Sequence, residues 1–274
     1  MATDASYNAF TFNGSTWSAP TVIDPAAVQA GAAGFVYLAV SCATQQFCMA
    51  ADARGDLYAY NGTAWSAPKV LSSYGGLTVS CPTAGFCLAM DGDGNAYTYS
   101  DGAWTTHPNV APAGDLGMVN PYYHVSCASA SFCAAVGGNG SAQVFTGSNW
   151  TAPVTIDATL AKAPGYASVS CPVTGFCMAI DTTGATHVFD GTSWKAGAPV
   201  NGEALNGPVS CASPSFCLTM DNGGDPFSYG GTGWNLDESF RYPGIGDNVT
   251  AVGVSCLAAT FCVAVGGASY AIWR

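Results

Sequence analysis

Twelve cysteines fall into six pairs, each with five residues between its members. The pairs are Cys42/Cys48, Cys81/Cys87, Cys127/Cys133, Cys171/Cys177, Cys211/Cys217 and Cys256/Cys262. Their first members follow one another at intervals of 39, 46, 44, 40 and 45 residues. A chain that repeats on such a period builds one supersecondary unit many times over. Around the cysteines the repeat reads Val-Ser-Cys-x4-Phe-Cys-x-Ala-x-Asp-x-x-Gly-x-x-Tyr-x-Tyr-x-Gly-x-x-Trp-x-x-Pro. Apolar residues alternate with period two, and Gly, Asn and Asp fill the connections, which predicts four short strands per repeat. Strand A ends in Val-Ser-Cys, as in Thr78-Val79-Ser80-Cys81. Strand B starts at Phe-Cys, as in Phe86-Cys87-Leu88-Ala89-Met90. Strand C alternates aromatic and small residues, as in Ala96-Tyr97-Thr98-Tyr99. Strand D begins near a tryptophan, as in Trp65 to Val70.

Four antiparallel strands per repeat at this spacing predict an all-β, six-bladed β-propeller with one disulfide per blade, a single domain over 1–274. Residues 8–23 read as strands C and D without A and B, and residues 254–273 as A, B and C without D. The expectation is that N- and C-terminal strands close the ring. One C-like strand is then surplus, because both Ala9-Phe10-Thr11-Phe12 and Tyr270-Ala271-Ile272-Trp273 qualify. It could be displaced, add a fifth strand, or pair with another molecule.

The cysteine spacing fits a hairpin staple between strands A and B. Zinc is the rival, but zinc sites favour two to four residues between cysteines with further ligands close by. Here the spacing is longer, and only His107, His124 and His187 are present. Paired cysteines in this number point to an oxidising compartment, hence a secreted or cell-surface protein. The start, Met1-Ala2-Thr3-Asp4, lacks the basic and apolar stretches of a signal peptide. The simplest expectation is a mature exported domain carrying an added Met1; the alternative is a piece of a longer protein.

Charge narrows the partners. Charged residues make up 8% of the chain, and the net charge is −11. Three Lys and three Arg offer little to a phosphate backbone or an anionic membrane. No apolar run reaches the length of a membrane span. The expected partner is a glycan or small polar ligand, with no nucleic acid, no membrane insertion and no cofactor or metal; composition sets no oligomeric state.

Several residues recur or stand out. Trp17, Trp65, Trp104, Trp150, Trp194 and Trp234 hold one place in six copies. They read as wedges between blades, and as candidate walls of a sugar site, Trp65 and Trp104 foremost. Asp52, Asp91, Asp181 and Asp221 end strand B, while Gly137 and Gly266 replace them in two repeats. They read either as turn caps for the B–C loop or as acceptors for ligand hydroxyls. The connections from strand D to the next strand A are long and aromatic, with Tyr37, Tyr74, Tyr122, Tyr123, His124, Tyr166, Arg241 and Tyr242. Loops of this kind on a rigid scaffold are where binding concentrates; the plainer reading is that their rings plug the channel. Asp91-Gly92-Asp93-Gly94-Asn95 opens like a calcium loop, but no bidentate Glu follows at the needed distance, so a tight turn is expected.

Nothing marks catalysis. A glycosidase needs two placed carboxylates, and the glutamates Glu203 and Glu238 do not recur. Asp115, Asp237 and Asp247 stand in loops with no supporting spacing. A sialidase-like arginine cluster would have to come from Arg54, Arg241 and Arg274.

The run Gly55 to Pro68, Gly-x-x-Tyr-x-Tyr-x-Gly-x-x-Trp-Ser-x-Pro, resembles the blades of bacterial and fungal propeller lectins. The run Val169 to Cys177 is similar to Cys-stapled repeats of exported actinobacterial proteins, some attached to Ser/Thr kinases. The resemblance implies a propeller and sugar binding. The chain departs from the fucose-lectin pattern, which repeats an Arg and a Glu in each blade. Three readings follow: a non-catalytic lectin with several weak sites; a sensor or protein-interaction domain of a surface protein, such as a receptor kinase; and, weakest, a glycan hydrolase.

Overall fold

A computed structural model describes residues 1–29, 38–112, 123–160, 165, 167–200, 205, 208–221, 223–240, 253–266 and 269–273. The chain forms two compact units, Met1–Ala130 and Ser131–Arg274, dividing in the turn after Ser129.

In the first unit the expected A–B–C–D order appears twice. One sheet runs Leu38–Thr44, Phe47–Asp52, Asp56–Tyr60 and Lys69–Val70; the next runs Thr78–Thr83, Phe86–Met90, Ala96–Ser100 and Ala103–His107. Each strand pairs antiparallel with its chain neighbour. Strand Tyr123–Ser129 lies alongside Thr78–Thr83. A three-stranded sheet precedes these, with Asn8–Phe10 between Ala2–Thr3 and Thr21–Val22. The N-terminal C-like strand therefore has a sheet of its own and is not a fifth strand.

The second unit holds Phe132–Gly137, Ser141–Phe145 and Val154–Thr155, then two four-stranded sheets. One is Ala167–Val173, Phe176–Asp181, Thr186–Phe189 and Trp194–Ala196; the other is Ser210–Ser213, Phe216–Met220, Pro226–Tyr229 and Trp234–Leu236. A three-stranded sheet of Gly253–Ala258, Phe261–Gly266 and Ser269–Trp273 follows.

Strand B is apolar on both faces because sheets cover both. Cys48 to Asp52 is buried throughout, as is Cys87 to Met90. Small side chains at alternate positions, Ala50, Ala51 and Ala89, allow that close stacking. In the first unit Met49, Leu57, Leu77, Val79 and Tyr97 fill the space between the two sheets. In the second, Met178, Ile180, Val209 and Phe227 do the same.

All twelve cysteines are disulfide-bonded. Cys42–Cys48, Cys81–Cys87, Cys171–Cys177, Cys211–Cys217 and Cys256–Cys262 each join strand A to strand B. Cys127 and Cys133 are likewise bonded.

The serine of Val-Ser-Cys has a role that packing alone does not cover. Ser41 Oγ accepts from the amide of Cys81, and Ser80 Oγ from that of Cys127. In the second unit Ser170 and Ser210 accept in the same way from Cys211 and Cys256. Cohesion between successive repeats thus includes one directed bond per step, where flat-sheet packing alone is the expectation from sequence. Ser80→Ala would leave the Cys127 amide unsatisfied. The expected cost is about 1–3 kcal/mol, readable by urea denaturation; a loss under a few tenths would show that the bond contributes nothing net.

Candidate functional site

The B–C loops are built on their aspartates. Asp52 Oδ1 accepts from the amides of Arg54 and Asp56, at 2.9 Å each. Asp91 Oδ1 accepts from Asp93 and Asn95, Asp181 Oδ1 from Thr183 and Ala185, and Asp221 Oδ1 from Gly223 and Asp225. One carboxylate oxygen thus fixes the loop in four repeats. In the third repeat, where Gly137 stands, Asn139 Oδ1 takes the amide of Ser141. The glycine three residues after the aspartate is required. Gly55 has φ +90° and Gly94 φ +79°, and a Cβ there would lie 2.1 Å from the Ser72 carbonyl or 2.3 Å from that of Ala111. Asp91–Asn95 is accordingly a tight turn.

The second carboxylate oxygen faces inward, to a polar cluster drawn from two repeats. Asp91 Oδ2 accepts from Ser72 Oγ (2.7 Å), Tyr97 Oη (2.8 Å) and Asn95 Nδ2 (3.0 Å). Ser72 belongs to the end of the preceding strand D. Burial, then the Asp91 carboxylate beside it, pushes the Tyr97 phenol up to about 12. Asp52 Oδ2 accepts from Tyr7 Oη at 2.8 Å, and Tyr58 Oη donates to Asp24 at 3.0 Å. Arg54 neutralises that carboxylate pair, 3.3 Å from Asp52 and 3.8 Å from Asp24, with its guanidinium over the Tyr7 ring. Burial and the neighbouring carboxylates hold both phenols above the ordinary range.

The fourth repeat keeps the three positions and changes the chemistry. His187 stands where Tyr58 and Tyr97 stand, and Asp157 stands where Asp24 and Ser72 stand. Asp157 Oδ1 takes both Thr159 donors, and Asp181 Oδ1 takes both Thr183 donors. Asp181 is 3% exposed and its Oδ2 has no hydrogen-bond partner; His187 is 8% exposed and its Nε2 has none. That Nε2 lies 3.8 Å from Asp157 Oδ2. Burial pushes Asp181 up and His187 down. A cavity between them, lined also by Gly140, Ile156 and Leu160, leaves 10 Å³ for the centre of a water-sized molecule. Among the described residues these three side chains bring ligand atoms within 4.8 Å of one another.

The tryptophans lie elsewhere. Trp65 packs on Tyr60 at 5.3 Å and Trp104 on Tyr99 at 5.4 Å, and Trp17, Trp150, Trp194 and Trp234 each tilt against the last ring of strand C in the same way. Tyr60 is paired with Cys48, four residues along strand B from Asp52. That separates a repeat's tryptophan from its aspartate by about 13 Å. The ring and carboxylate of one repeat therefore do not line a shared small-sugar site, and the carboxylates are already hydrogen-bonded inside the protein.

Of the loop aromatics, Tyr74 is 53% exposed. Tyr123 is fully buried and its hydroxyl donates to the Pro112 carbonyl, so it is a core residue where the sequence placed it among loop residues. His124 is enclosed beside it, with burial lowering its pKa to about 4. Tyr37, Tyr122, Tyr166, Arg241 and Tyr242 lie outside the described residues, as do Glu203, Asp115 and Asp247. The His187 cluster escaped the sequence reading; its signal is a histidine replacing a tyrosine of the repeat, 30 residues after an aspartate in the preceding one.

No family model and no curated protein matches the sequence. Solved structures do match. YCF48 bound to a D1 peptide superposes with TM-score 0.67 at 12% identity, over 98% of this chain and 87% of that one. YCF48 from Cyanidioschyzon merolae gives 0.62 at 12%, over 95% and 85%, and U3-55K gives 0.63 at 8%, over 87% and 80%. At such identities the likeness is one of fold. The stapled repeats are blades of a β-propeller, an architecture that serves as an interaction scaffold. The disulfides fit an oxidising environment, and among the described residues no helix is long and apolar enough to cross a membrane.

Proposed function

We propose that this chain is a non-catalytic protein-interaction propeller of a secreted or surface protein, and that its partner presents a basic polypeptide segment. The observation that carries the reading is the use of the recurring aspartates. Their oxygens fix the B–C loops internally, which leaves a rigid scaffold whose loops, with exposed Tyr74, are free to meet a partner. A net charge of −11 favours a positively charged partner and fast encounter at low salt. That a propeller of similar fold carries a bound peptide supports the reading. The test is a peptide array and a glycan array probed in parallel with the oxidised protein. Enrichment of Lys/Arg-rich peptides, weakening with salt and on Tyr74→Ala, is expected; no peptide binding at millimolar concentration would defeat it.

A lectin is the second reading, favoured by the six half-buried tryptophan–aromatic pairs at the stapled ends of the sheets. Such rings could stack on sugar C–H faces without help from the aspartates. Glycan signal without peptide signal, lost on Trp65→Ala and Trp104→Ala, would select it.

A further inference from the structure

We propose that Asp157, Asp181 and His187 form a binding site for one divalent transition-metal ion, of which Zn²⁺ is the probe. The other repeats show what these positions need. Where two carboxylates meet, at Asp24 and Asp52, Arg54 supplies the balancing positive charge. The residue equivalent to Arg54 in the fourth repeat is Thr183, which has no charge. Where a single carboxylate sits, at Asp91, the hydroxyls of Ser72 and Tyr97 satisfy its inward oxygen. In the fourth repeat both hydroxyls are missing, replaced by a second carboxylate and an imidazole. The result is a buried oxygen and a buried ring nitrogen without partners, facing one cavity. Orphan polar atoms of this kind are costly unless something fills the space between them.

A cation meets every requirement at once. One imidazole nitrogen and two carboxylate oxygens suit zinc or its first-row neighbours, whereas calcium takes more ligands and all of them oxygen. Both carboxylates are already oriented: Thr159 and Thr183 each occupy the Oδ1 atom and leave Oδ2 for the ion. Ligand atoms of a tetrahedral zinc lie about 3.3 Å apart. The 3.8 Å between His187 Nε2 and Asp157 Oδ2 thus needs only a small closure. The cavity's one water-sized space would hold the ion, and Asp157, the least buried of the three, marks the way in.

The test is calorimetric titration of chelator-treated, oxidised protein with Zn²⁺, with the melting temperature followed alongside. One equivalent should bind and raise Tm. Asp181→Asn and His187→Gln should each weaken binding about tenfold or more. A double variant, Asp157→Ser with His187→Tyr, rebuilds the Ser72–Asp91–Tyr97 arrangement in the fourth repeat. It should fold and show no zinc-dependent shift in Tm, which keeps the test decisive if a single variant is unstable. An isotherm identical in wild type and double variant would overturn the site by placing zinc elsewhere. No binding by the folded wild type at millimolar Zn²⁺ would also overturn it, leaving the two carboxylates to share a proton.

Discussion

Reducing all six disulfides should unfold the protein. Each bridge whose geometry is described spans a sequence separation of six, and a loop that small contributes about 2–2.5 kcal/mol by restricting the unfolded chain. Six together contribute about 12–15 kcal/mol, as much as the whole net stability of a typical domain. The second cysteine of every pair is at most 1% exposed, so reductant alone would act slowly on the native state. Reduction in denaturant followed by refolding with reductant present removes that kinetic barrier. The refolded sample should show no cooperative thermal transition and no near-ultraviolet circular dichroism from its tryptophans. A single paired variant, Cys81→Ser with Cys87→Ser, should stay folded and lose about 2–2.5 kcal/mol. A reduced protein that melted within a few degrees of the oxidised one would show that packing and the serine-to-amide bonds suffice.

Asp91→Ala should be among the most damaging single substitutions. The side chain is fully buried and accepts five hydrogen bonds: two loop amides, the Asn95 amide group, and the Ser72 and Tyr97 hydroxyls. Alanine strands all five donors in a space that packing closes. The expected loss is about 3–5 kcal/mol, since removing one partner of a buried network leaves the others desolvated. Asp91→Asn keeps one acceptor oxygen and should cost less than half as much. Urea denaturation of both variants measures this directly. A cost below about 1 kcal/mol for alanine would mean that water enters and replaces the carboxylate.

The two predictions draw on different layers of legibility. The disulfides could be read from spacing, because a cysteine pair five residues apart in a strand–turn–strand pattern can meet only across the turn. The aspartates could be read halfway. Their place at the end of strand B and the glycine three residues on announce a capped turn, and the structure gives that role to Oδ1. The task of Oδ2 was not visible, because its partners, Ser72 for Asp91 and Tyr7 for Asp52, stand 19 and 45 residues away in a neighbouring repeat. The serine before each first cysteine was hidden for the same reason: its partner amide lies 40 residues on for Ser41 and 47 for Ser80.

The tryptophans show how the register corrects a sequence pattern. Adjacent in the repeat formula, Trp65 and Asp52 suggest one ring and one carboxylate per sugar site. Pairing sends them to opposite ends of the sheet, since strand C reverses direction between them. Tyr123 reads as a loop aromatic and is a buried hydrogen-bonded one, because strand A starts at that residue.

By itself, the sequence determined the count of stapled repeats, the four-strand order, the turn-forming aspartates and glycines, and the oxidising compartment. All of these are local, set within about 45 residues by alternation, turn chemistry and cysteine spacing. Tertiary structure alone decided which repeat faces which, and so which buried oxygens find a hydroxyl, an arginine or nothing. His187 in isolation is one of three histidines. Set between Asp157 and Asp181, with no arginine or hydroxyl to complete the cluster, it becomes half of a charge problem that a cation would solve.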